Sequence, residues 1–180
     1  MTKTVKKFLF LMSTLALVGS FMACSDDSTQ SSTDTSVTTQ INSASGDVDL
    51  KNATINENVI INRACTVSNA KFSGKTITVN VTGVTLNNIS DAVVVAAAGI
   101  ESGSLIIKDS DITTLTVLGG GSNSIHLSGR TKVAKVAVQK KAVRIALEDT
   151  ANVTALTVSA DRVLIEGDDN TKVASLTVDN

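Results

Sequence analysis

Four carboxylates offer the first candidate chemistry. Glu148 and Asp149 stand 20 residues before Asp168 and Asp169, so a fold with that period would stack them on neighbouring turns. Stacked carboxylates repel one another unless a cation bridges them, and oxygen-rich turns of this kind suit calcium. Hydrated turns held apart by water and salt are the other reading of these residues. The second candidate is basic. Arg130, Lys132, Lys135, Lys140, Lys141 and Arg144 fall in one short stretch and would suit a polyanionic ligand if they shared a face. Lys141 also aligns with Glu101 two periods earlier and Asp161 one period later, so a ladder of opposite charges explains it equally. Exposed pairs of that kind contribute only ~0–1 kcal/mol each.

The remaining reactive side chains point to structure rather than chemistry. His126 is the only histidine and lies between Ile125 and Leu127, so strand alternation turns it toward solvent. One imidazole without a companion Cys or His does not make a zinc site. Cys65 takes a place that valine holds in neighbouring repeats, with no histidine near it in sequence. It reads as a small core hydrophobe rather than a nucleophile. No catalytic residue and no cofactor is assigned.

The elements that position these residues are set by an internal repeat. Val143, Ile145 and Leu147 recur as Val163, Ile165 and Gly167, and Val153, Leu156 and Val158 recur as Val173, Leu176 and Val178. Both steps are 20 residues, and Val133, Val136 and Val138 lie one step earlier. Within each unit, short period-2 strands are broken by polar turns. A strand buries its apolar side only if something covers it, and a fixed period makes the next coil the natural cover, ~4.8 Å away. The first half repeats more loosely, with Val48/Leu50, Cys65/Val67 and Val84/Leu86 as equivalents. Asn52, Asn69, Asn88 and Asp109 follow those strands. Asn and Asp tolerate left-handed backbone, so they suit a corner repeated in every coil.

These ladders and asparagine corners resemble the right-handed parallel β-helix, the pectate-lyase-like architecture. The resemblance covers residues 47–180 and implies an all-β solenoid of about seven coils with a period of about 20 residues. The outward threonines Thr116, Thr157 and Thr177 resemble the ice-binding face of other solenoids, but Ala137 interrupts the column.

The N-terminus supplies an address. Lys3, Lys6 and Lys7 precede an apolar run from Phe8 to about Val18, which is shorter than the ~20 residues a membrane-spanning helix needs. Residues 1–23 read as a signal peptide. Phe21, Met22 and Ala23 before Cys24 resemble a bacterial lipobox, although Phe21 and Met22 depart from its usual leucine and small residue. That resemblance implies lipidation of Cys24, including palmitate, and export to a bacterial membrane. Ser25, directly after the cysteine, resembles the residue that lets such lipoproteins move to the outer membrane, which implies the outer membrane or cell surface. Residues 24–46 are rich in Ser, Thr and Asp and read as a disordered tether.

Composition narrows the functional classes. Without residues 1–23 the chain carries 13 basic and 17 acidic residues, so nothing draws it to nucleic acid. Phe72 is the only aromatic residue after position 23. Polysaccharide lyases and hydrolases share the resembled fold but are longer and use sugar-stacking aromatics, so a carbohydrate-active enzyme is disfavoured. The expected function is a lipid-anchored, noncatalytic envelope or surface lipoprotein, serving as a scaffold or a binding and adhesion module. Its partners would be the membrane, through the lipid on Cys24, and a glycan or matrix ligand. The alternative is a self-assembling subunit that stacks head to tail through an uncapped C-terminal coil. That reading is similar to bactofilins in repeat style alone, since those lack an export signal.

Overall fold

The computed structural model describes residues 38–41 and 46–179. The expected signal peptide, Cys24 and most of the expected tether lie outside the described residues. The strands are β1 (Thr38–Ile41), β2 (Val48–Thr54), β3 (Asn58–Ile61), β4 (Cys65–Lys71), β5 (Thr76–Val79), β6 (Val84–Ala96) and β7 (Leu105–Lys108). They continue as β8 (Asp111–Val117), β9 (His126–Ser128), β10 (Lys132–Val138), β11 (Arg144–Leu147), β12 (Asn152–Val158), β13 (Leu164–Gly167) and β14 (Lys172–Val178). No helix occurs among the described residues. All pairings are parallel and join the strands into one 14-stranded sheet. The sheet winds into a β-solenoid of about seven turns of roughly 20 residues.

Each full coil presents three faces. The first is built from the start of β2, β4 and β6, then β7, β9, β11 and β13. A corner follows at Asn69, Asn88, Asp109, Gly129 and Asp149, all of which have positive φ. The second face is short and opens the long strands, with Asp111, Lys132, Asn152 and Lys172 in register. The chain then bends. In β10, Val133 and Val136 are buried while Ala134 and Lys135 between them are exposed, and two successive outward residues break the alternation. The third face follows as the ladder β1–β3–β5–β6–β8–β10–β12–β14.

The core is aliphatic because every inward position repeats an aliphatic residue. Leu86, Leu105, Ile107, Ile112, Leu115 and Leu127 are all 0% exposed. Phe72 and Ile100, which lie in turns, are each 1% exposed and help fill the interior. Cys65 lies in this core, as its position opposite Val84 requires.

The structure corrects the sequence reading in two places. Val48 pairs with Val67, not Cys65, and the register shifts before Ala53 pairs with Ala70. Lys51 and Asn52 both take positive φ, so a bulge absorbs two residues and the 17-residue step holds only beyond it. The sheet also begins before residue 47. Thr38–Ile41 pairs with Asn58–Ile61, inside the segment expected to be a tether, and Ile41 packs against the core.

Buried hydroxyls reinforce the corner. The Ile89 amide donates to Ser110 Oγ at 3.0 Å, and the Ser110 amide donates to Thr131 Oγ1 at 3.3 Å. Thr131 is fully buried, and its hydroxyl lies 2.7 Å from the Ser128 carbonyl. Thr131→Val keeps the shape but leaves the Ser110 amide without this acceptor. The expected loss is about 1–3 kcal/mol, read as a lower urea midpoint with an unchanged slope.

Candidate functional site

The chemistry-bearing side chains gather at the corner after the first face, where left-handed backbone turns amides toward the neighbouring coil. Asn69 Nδ2 donates to Asp49 Oδ1 at 2.9 Å, and Asn88 Nδ2 donates to Asn69 Oδ1 at 2.8 Å. The bond from Asn69, with help from the Lys51 amide, holds the Asp49 carboxyl below its ordinary range. One coil beyond Asn88, Asp109 Oδ1 accepts the Arg130 amide at 3.0 Å. An amide ladder therefore passes into a carboxylate–backbone ladder along one edge.

The four acidic candidates belong to this second ladder or stand beside it. Asp149 Oδ2 accepts the Gly129 amide at 2.8 Å, and Asp168 Oδ2 accepts the Asp149 amide at 3.1 Å. Glu148 Oε1 lies 2.8 Å from His126 Nδ1, so the imidazole presents its Nδ1–H to the carboxylate. Asp169 is exposed. Three of the four carboxylates thus have separate partners. Among the described residues, no group of three or more His, Cys, Asp or Glu side chains is placed to hold a metal ion.

His126 departs from the expectation of a solvated side chain. It points away from the core as alternation requires, yet its side chain is only 16% exposed. It stands beside Ala146 in the first-face ladder, and the contact with Glu148 draws the ring against the sheet. Sequence spacing could not show this, because Glu148 is 22 residues away and reaches back from the next coil.

The basic candidates do not form one face. Arg130 is at the corner, Lys132 on the second face and Lys135 at the start of the third. Lys140 and Lys141 occupy the turn that follows, and Arg144 opens β11 on the first face. The six side chains circle the solenoid as a belt, because the stretch that contains them is nearly one whole coil. Two of them meet acids: Arg144 Nε lies 2.5 Å from Glu166 Oε2, and Arg130 Nε lies 3.6 Å from Asp109 Oδ1.

Burial pushes the Cys65 thiol up from its ordinary value, which keeps it protonated and unreactive. Asp109 is shifted the other way: the Arg130 amide, aided by nearby positive charge, holds its carboxyl below the ordinary range. A depressed carboxyl stabilises the fold above the unfolded-state value and loses that contribution as pH falls through the folded one. In an NMR titration, the Arg130 amide shift should follow the Asp109 carboxyl and move at a pH below the usual carboxylate range. Asp109→Asn should abolish that inflection.

The sequence reading missed the buried Ser110–Thr131 ladder and the Arg63 anchor. Arg63 Nη2 donates to the Gly46 carbonyl at 2.7 Å. A groove of about 440 Å³ lies at the last coil, lined by Val158, Arg162, Val163, Ile165 and Val178 among others. In comparisons with known proteins, no family model, curated protein or solved structure matches the chain.

Proposed function

We propose that the protein is a lipid-anchored, noncatalytic β-helical module of the bacterial envelope that presents its rigid outer faces to a binding partner. The observation that carries this reading is the use to which the corner side chains are put. Asp49, Asp109, Asp149 and Asp168 accept hydrogen bonds from the chain itself, and Glu148 meets His126. Such groups hold adjacent coils in register. They are not aimed into a shared cleft, as acid–base chemistry on a glycan would require. The lipobox-like sequence before Cys24 supplies the anchor, and the Ser/Thr-rich segment after it sets the solenoid off from the membrane.

Retention of a glycan or matrix protein on an array is the expected behaviour, with no change in the ligand. Incubation with uronic-acid polymers and calcium separates this from lyase chemistry. Release of unsaturated product would overturn the noncatalytic assignment.

One observation favours a second reading. Leu176 and Val178 continue the inward columns of Leu156 and Val158 but are 55% and 60% exposed. An additional coil stacked on them would cover both, whether it belongs to the same chain or to a second copy; the second-copy case is end-to-end self-assembly, the alternative reading. Filaments in negative-stain images would support it.

A further inference from the structure

The third face differs in chemistry from the other two. From β5 to β14 one outward column reads Thr78, Val95, Thr116, Ala137, Thr157 and Thr177, in register throughout. The column beside it reads Thr76, Val93, Thr114, Lys135, Ala155 and Ser175. Lys135 is the only charged member of the two columns, and it sits next to the bend, where its long stem can carry the ammonium over the rim. The second face, by contrast, places Lys71, Asp111, Lys132 and Lys172 outward. The first face places Lys108, Arg144 and Glu166 outward.

One exposed apolar side chain lies beside the same face. Among the described residues, four large hydrophobic side chains are exposed: Leu118, Leu164, Leu176 and Val178. Three belong to the last coil. The fourth, Leu118 at 41%, directly follows β8 at the border of the third face, far from either end of the ladder.

We propose that the third face docks a second copy of this chain, face to face. A surface that repeats every ~4.8 Å along the stack needs a partner with the same period, and an identical solenoid supplies it by construction. The two outward columns carry a single charge, Lys135, beside the bend, so two copies can meet here without opposing the charged rows that the first and second faces present. Small and β-branched side chains let two sheets interdigitate at the usual ~10 Å separation. Eight strands of four residues give a footprint of roughly 38 by 13 Å, so the pair would bury about 1,000 Å², the lower bound for a specific interface. The expected complex is a reversible dimer. It does not depend on the lipid anchor or on any glycan ligand.

All fourteen strands lie in the compact unit Ser36–Asn180, so that segment is the material for the test. In sedimentation velocity over a wide concentration range, the wild-type unit should shift from one to two chain masses. Ala137→Lys sets a charge in the middle of the face and should stay monomeric, with an unchanged circular dichroism spectrum. Thr116→Lys serves as a second variant should the first fail to fold. Val178→Lys, at the end of the solenoid, should associate like wild type. A wild-type unit that stays monomeric at every concentration would overturn the proposal. So would face variants that associate normally, or loss of association through Val178→Lys alone, which would assign the contact to the end of the solenoid instead.

Discussion

Leu115→Ala should lower the stability of the solenoid by about 3–4 kcal/mol, the cost of deleting a buried leucine whose surroundings cannot collapse. Leu115 is fully buried and pairs with Val94 on one side and Val136 on the other. The neighbouring coils are held by continuous ladders on both sides, so they cannot close on the void without breaking parallel hydrogen bonds elsewhere in the turn. The cost should therefore lie above the lower end of the range for such changes. In urea this corresponds to a midpoint lowered by roughly 1.5 M or more, for a slope near 2 kcal/mol/M. Lys132→Ala, an outward and exposed position on the second face, should change the stability by no more than about 0.5 kcal/mol. Equal effects at the two positions would mean that Leu115 is not in a packed core.

The same lysine isolates the contribution of the backbone. The Lys132 amide donates to the Ser110 carbonyl of the preceding coil at 2.8 Å, and Ser110 is buried. Lys132→Pro removes that donor, strands the carbonyl and leaves the core volume untouched. The expected loss is about 2–3 kcal/mol, against almost nothing for Lys132→Ala. Hydrogen exchange should localise the damage, with amides of the flanking coils losing protection while those of distant coils keep it, because repeats interact chiefly with their neighbours. Equal midpoints for the two variants would show that the ladder bond at 132 contributes little. The sequence contains no proline, which fits a fold in which most amides are committed to a neighbouring coil.

How much of this could be read from the sequence depends on where each signal lies. The aliphatic ladder through Val153, Leu156 and Val158 was legible because the same residue types recur at the same step. The corner was legible at Asn69, Asn88 and Asp109, all of which take the left-handed backbone expected of them. The bulge in β2 was hidden because Val48 and Leu50 alternate like any inward pair, and only pairing with β4 shows the slip. The strand at Thr38–Ile41 was hidden for the opposite reason. A Thr- and Gln-rich segment has little local tendency to order, and contact with β3 decides its conformation.

The partners of the carboxylates were least legible. Asp149 and Asp168 read either as hydrated turns or as stacked charges bridged by a cation, yet each accepts a backbone amide. An amide donor is present at every residue, so no residue type marks it. Its direction follows from corner geometry, which appears only when the coils are stacked. The basic stretch fails as a single face for a related reason. Its residues are close in sequence, but the bend after Val133 and the turn at Lys140 send them around the coil.

The measurement that bears most directly on the proposed role is the intact mass of the full chain purified from membranes of bacteria that express it. The expected species begins at Cys24 and carries the added mass of a lipid anchor, and Cys24→Ser removes that mass. An unmodified species, or one whose N-terminus lies elsewhere, would contradict a lipid-anchored module.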